Sequence, residues 1–136
     1  MEKEVRVKVS QASASLSHGT IEYSNSQYPI DRPVEAGGSG AGALGGEIWL
    51  VGLGGCFMST LLAEVRERNA DIDEVEINTI GTHSEELRRF TKIQLVVTAN
   101  YEDKELFETL IRDSRIKCLV MNSMSSEIEL NIKLED

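Results

Sequence analysis

The sequence predicts a two-layer α+β domain, and three observations carry that reading. A long apolar helical stretch follows a glycine-rich run. Apolar and polar residues alternate near the start, in the middle and at the end of the chain. A second, amphipathic helical pattern separates the last two alternating segments. The order is strands, long helix, two strands, one or two helices, then a strand. At 136 residues the chain is expected to form a single domain, residues 1–136.

The first strand is read from Val5, Val7 and Val9 on one side and Glu4, Arg6 and Lys8 on the other, a half-buried pattern of period two. Gly19 to Tyr23 predicts a further short strand. Ser24 to Gly46 shows no periodicity and holds both prolines and most of the glycines. A structureless stretch of that length is either a connector or a loop whose missing side chains let the backbone approach something closely. Glu47 to about Asn69 predicts a helix, with Leu50, Leu53, Phe57, Leu61 and Leu62 at helical spacings and charges confined to the last turns. Such a helix is about 34 Å long, against a radius of gyration of about 14 Å for a globule of this size. From Ile48 to Ala63 it is apolar on every face, so burial all round requires a partner, and a homodimer is expected.

Val75, Ile77 and Thr79 alternate, as do Ile93, Leu95 and Val97, and the polar link between them reads as a hairpin connection. Glu102 to about Ser114 is amphipathic, through Leu106, Phe107, Leu110 and Ile111, and a short helix is expected around Cys118 to Met124. Ile128, Leu130, Ile132 and Leu134 close the chain as a strand with one wet face.

Composition narrows the function classes. A formal charge of −9 and a pI near 4.7 argue against nucleic acid and anionic membranes as partners. No apolar h-region follows Met1, and the apolar run from Ile48 is interrupted by Gly52, Gly54, Gly55, Ser59 and Thr60, so neither a signal peptide nor a membrane span is expected. Two cysteines are too few for a disulfide scaffold, which makes a cytoplasmic location the default. His18 and His83 lack ligand-spaced partners, so no metal is expected. The glycine run lacks the lysine of a phosphate-cradling loop, and no other cofactor is implied.

Chemistry is best sought at Leu53-Gly54-Gly55-Cys56-Phe57. A free cysteine is often no more than a small core hydrophobe. Paired glycines, however, cost a helix roughly 1 kcal/mol each relative to alanine. Their presence suggests a close approach to Gly54 and Gly55, by a facing element or by a substrate. Cys118 is the only other thiol. If the two can close, Cys56 is the nucleophile and Cys118 the resolving thiol.

The stretch from Arg32 to Gly38, then Glu47 and the apolar run to Gly54-Gly55-Cys56-Phe57, resembles the osmotically inducible protein C (OsmC-like) family, which includes organic hydroperoxide resistance proteins. Arg88-Arg89-Phe90, Cys118 and Asn122-Ser123 extend the likeness to the end of the chain. The resemblance implies an OsmC-like fold with curved antiparallel sheets around long central helices in an intertwined homodimer. It also implies a thiol-dependent peroxidase that reduces organic hydroperoxides or hydrogen peroxide without metal or haem and is reset by an external thiol or dithiol. On that pattern Cys56 is similar to the peroxidatic thiol and Cys118 to the resolving one. Arg32 is similar to the arginine that activates the thiolate and binds peroxide, and Glu47 to the carboxylate that positions it. Gly54, Gly55 and Phe57 would line the substrate side. The chain departs from the hydroperoxide resistance branch in having Gly46 where that branch carries its carboxylate, and Leu119 where relatives often have proline.

Those roles suit the physics. Only a thiolate attacks a peroxide usefully. A guanidinium favours the anion and can hydrogen-bond the departing alkoxide, while a carboxylate can hold the guanidinium's planar fork. Glu47 and Cys56 are nine residues apart, about 13 Å and half a turn around a helix. They cannot meet on one straight helix. Either a second subunit supplies Glu47 and Arg32, or the helix begins after Glu47. Two other functions fit the same residues: a dimeric protein that holds a small hydrophobic ligand with inert thiols, and a purely structural dimer.

Overall fold

The alternation that opens the chain becomes a small antiparallel sheet in the computed structural model, which describes all residues from Met1 to Asp136. The chain divides into two compact units, Met1–Trp49 and Leu50–Asp136.

In the first unit β1 (Val7–Gln11), β2 (Ser17–Ile21) and β3 (Ser26–Ile30) form a sheet in that order. Both pairings are antiparallel, with Val9 opposite Gly19 and His18 opposite Pro29. β3 lies inside the stretch read as structureless. Its pattern is broken by Pro29, a residue that sheets confine to their edges, and β3 is indeed an edge strand. The ladder to β2, rather than any periodicity of its own, makes it a strand. Asn25, at φ 56°, supplies the left-handed turn residue before it.

The glycine-rich run is organised by Asp31, the only buried residue of this unit. Its carboxylate accepts from the backbone N–H groups of Arg32 (2.7 Å), Ser39 and Ala41 (both 3.2 Å), and from the Ser39 hydroxyl. That hydroxyl, with the backbone donors, holds the carboxyl well below its usual range despite burial. Gly38 lies so close to the Arg32 carbonyl that a Cβ there would collide with it. The close approach foreseen for this loop is to its own backbone.

Helix α1 (Gly45–Glu67) starts two residues ahead of the expected helix. The Leu44 carbonyl accepts from the N–H groups of Glu47 and Ile48, and the Glu47 carboxylate reaches back to the Leu44 N–H at 2.8 Å, half of a capping box. At the other end Asn69 is left-handed, at φ 48°. The Ala70 N–H bonds the Val65 carbonyl and the Asn69 N–H that of Arg66, a Schellman motif with asparagine in the glycine position.

In the second unit β4 (Ile72–Ser84) and β5 (Arg89–Tyr101) form a long hairpin. Two further helices, α2 (Lys104–Lys117) and α3 (Leu119–Asn122), lead to β6 (Glu129–Leu134). The Asp103 side chain caps α2 by accepting from the Leu106 N–H, and Arg115 and Lys117 suit its C-terminus. β6 pairs with β5 in parallel, so this sheet is mixed, not antiparallel throughout as expected. The physical reason is the connection: a helical crossover between β5 and β6 returns the chain to the same end, whereas a hairpin would have reversed it.

One face of this sheet is the core face. Gly81, Thr79 and Ile77 stand opposite Ile93, Leu95 and Val97, which stand opposite Leu130, Ile132 and Leu134. Leu53, Phe57, Leu61 and Val65 of α1 and Phe107, Leu110 and Ile111 of α2 join them. Each fully buried side chain of this kind contributes roughly 1.5–3 kcal/mol. By length and composition α1 would also pass as a membrane span, a test that core helices pass too. A single chain covers only one stripe of it, and Val51 on another face is 70% exposed.

Candidate functional site

The second unit brings the two cysteines together. Cys56 sits in the middle of α1, half-buried, beside the buried stripe that faces the sheet. Its carbonyl accepts from the Thr60 hydroxyl at 2.9 Å, a local bond that leaves the thiol free of it. Cys118 is the link between α2 and α3. At φ −74° and ψ 114° it leaves the helical conformation, ends α2 and begins α3. The Asn122 side chain ties that corner by donating to the Ile116 carbonyl at 2.9 Å, and the Asn122 N–H bonds the Cys118 carbonyl at 3.0 Å.

The Cys118 thiol is fully buried and donates to the Cys56 sulfur at 3.4 Å. Both are free thiols. Burial pushes the Cys118 thiol up, and its contact with Cys56 adds to that. The backbone N–H groups of Met121 and Val120 oppose the shift without cancelling it. Cys118 is thus held as a neutral S–H against the half-buried Cys56. A disulfide has an S–S length near 2.05 Å, so closing the pair requires a movement of about 1.4 Å from 3.4 Å.

Next to this pair lies an ion pair that the sequence reading missed. Lys117 donates to the carboxylate of Glu64 at 2.5 Å, with the Glu64 side chain only 8% exposed and that of Lys117 57%. The bond to Glu64 holds the Lys117 ammonium above its ordinary range. Glu64 reads in sequence as the first of the solvated charges that end α1. The available signal was its position, three residues after Leu61 and next to Val65, on the apolar stripe.

Arg32 and Glu47 belong to the first unit. The Arg32 backbone is pinned on both sides, its N–H on Asp31 and its carbonyl accepting from the Gly40 N–H at 3.0 Å. Its side chain is exposed and forms no ion pair within that unit. Glu47 caps α1 as described. Because the helix begins before Glu47, the alternative of a helix starting after it is excluded.

The three residues expected on the substrate side divide. Gly54 is buried, and a Cβ there would run into the Thr79 hydroxyl, so packing of α1 on β4 accounts for this glycine. Phe57 is fully buried in the core and belongs to its packing. Gly55 alone is exposed, with open space where its Cβ would be.

Compared with known proteins, residues 38–133 match the family model described as OsmC-like protein. A search of curated proteins finds no match. Among solved structures, an OsmC-like protein of Mycoplasma pneumoniae superposes with a TM-score of 0.85 at 17% identity, over 99% of this chain and 98% of that one. An organic hydroperoxide resistance protein of Elizabethkingia anophelis gives 0.78 at 16% identity, over 100% and 99%. The organic hydroperoxide resistance protein of Bacillus subtilis gives 0.69 at 22%, over 96% and 98%. At these identities the likeness is one of fold.

Proposed function

The chain belongs to the OsmC-like family, and on that footing we propose that it is a thiol-dependent peroxidase that reduces organic hydroperoxides through Cys56 and Cys118. The observation that carries this reading is the 3.4 Å contact between the sulfurs of a half-buried cysteine and a fully buried one. Reactive cysteines are partly exposed, and Cys56 is the less buried of the two. Its thiolate attacks one peroxide oxygen and the O–O bond breaks. The alkoxide leaves and takes up a proton, and Cys56 becomes a sulfenic acid. The sulfur of Cys118 then attacks the Cys56 sulfur, the S–O bond breaks, and water departs with the thiol proton. An external dithiol reduces the resulting disulfide and is itself oxidised. A reducing cytoplasm would supply it.

Arg32 is the cation assigned to stabilise the Cys56 thiolate and the departing alkoxide, with Glu47 orienting it. Glu47 and Cys56 face different sides of one helix, so both first-unit residues are assigned to a second copy of the chain. Support for a homodimer comes from apolar residues left in solvent: Val7 is 66%, Val9 63% and Val51 70% exposed. The sheet of the first unit also buries no apolar side chain of its own, which is insufficient for a three-stranded sheet without a partner surface.

Counting thiols anaerobically before and after one equivalent of cumene hydroperoxide tests the reading. Native protein is expected to lose both thiols, and Cys56→Ser to keep its remaining one. Survival of both thiols in native protein would end the peroxidase assignment. Arg32→Ala is expected to slow the oxidation step about tenfold, the effect of removing one charged hydrogen-bond donor from the departing alkoxide. Stopped-flow kinetics unchanged by that substitution would remove Arg32 from the mechanism.

One observation favours a second reading. The Glu47 carboxylate is already engaged in capping α1, which fits a dimer that binds a small hydrophobic ligand and has inert thiols. The thiol count separates the two.

A further inference from the structure

Glu64 is the one carboxylate buried in the second unit, and the cycle above does not use it. It sits on the same helix as Cys56, two turns further on. Its partner, Lys117, is the last residue of α2 and is bonded directly to Cys118. We propose that the Glu64–Lys117 ion pair is a positioning device that holds Cys118 against Cys56 and sets the rate at which the disulfide closes.

The corner at Cys118 needs such a device. Its backbone is extended between two helices, and no side chain caps α3. The direction of the Cys118 sulfur therefore depends on what anchors the residues beside it. On one side Asn122 bonds the Ile116 carbonyl. On the other, Lys117 is tied to the helix that bears Cys56. Besides the sulfur contact itself, the other side-chain polar bridge between α2 and the α1 end of the chain is Arg68–Asp113, which is longer at 3.6 Å and half exposed. A charge-assisted bond to a buried carboxylate is short and directional. Closure is sensitive to placement, because a displacement of about 1 Å at reacting atoms can cost on the order of a hundredfold.

This assignment rests on the peroxidase reading for its rate, but not for its equilibrium. Glu64→Gln removes the carboxylate charge without stranding one, since Lys117 is free to turn to water. In rapid-quench experiments with cumene hydroperoxide, resolved by intact mass, E64Q is expected to form the Cys56 sulfenic acid within about twofold of the wild-type rate. It is expected to close the disulfide about tenfold more slowly and to accumulate the sulfinic acid. Lys117→Arg, which keeps the charge, is expected to close at near the wild-type rate. Equal slowing of both steps in E64Q, or unchanged closure, would overturn the proposal. Equilibration in dithiol–disulfide buffers needs no peroxide, and there the E64Q disulfide is expected to be about tenfold easier to reduce. If wild-type protein ignores the hydroperoxide, the peroxidase reading fails. The buffer equilibrium still decides the positioning role, and an unchanged constant in E64Q overturns it. Should E64Q fail to fold, the double variant E64L/K117M removes both charges together, which cores tolerate, and is read by the same two outcomes.

Discussion

Replacing Cys118 with alanine is expected to leave the first half of the cycle intact and to abolish the second, whereas Cys56→Ala should abolish both. The asymmetry follows from position. Cys56 is half-buried and accepts the hydrogen bond, while Cys118 is fully buried and is kept protonated by its apolar surroundings. C118A should therefore consume one equivalent of hydroperoxide at close to the wild-type rate and stop at a sulfenic acid that a carbon nucleophile can trap. Steady turnover with a dithiol should fall, because direct reduction of a sulfenic acid in a half-buried site must replace an intramolecular step. Cys56→Ala should lower peroxide consumption on the order of a thousandfold or more, as removal of a nucleophile does. Mass spectrometry of the quenched species, together with peroxide consumption, checks both. The reverse pattern, with C56A oxidised and C118A inert, would exchange the two roles.

Much of the fold was legible because its signals are local. The helix from Glu47 is placed within two residues at each end, since a 16-residue apolar stretch at helical spacing has few alternatives. The hairpin and the last strand announced themselves by alternation. β3 did not, because Pro29 breaks its pattern and only pairing with β2 makes it a strand. The parallel pairing of β6 was equally hidden: alternation shows which face is wet, not which way the neighbour runs. At the site, residue type and the family resemblance singled out Cys56 and Cys118. Their 3.4 Å approach joins positions 62 apart, and no local signal carries it. Glu64–Lys117, 53 apart, is of the same kind. The Glu47 cap was obscured because leucine, not serine or aspartate, stands at the start of α1.

Phe57→Ala is expected to cost about 3–5 kcal/mol of stability, the range for emptying a buried aromatic site. Phe57 is completely buried and belongs to the same core cluster as Leu53, Leu61, Leu95 and Phe107. It stands next to Cys56 in sequence, and that adjacency is what makes a substrate-binding role look attractive. On a helix, however, neighbours in sequence point about 100° apart, so the residue after a half-exposed cysteine can be wholly internal. Phe57→Leu, which keeps most of the volume, should cost less than about 1.5 kcal/mol. If Phe57 acts only in the core, F57L should leave the KM for cumene hydroperoxide within about twofold of wild type, since hydrophobic substrate contacts are worth more than that. Urea midpoints, compared at one protein concentration because association shifts them, report the stability arm, and steady-state kinetics report the other. A raised KM with undiminished stability would place this ring against the substrate. A loss of stability with KM preserved identifies Phe57 as part of the packing on which the Cys56 helix rests.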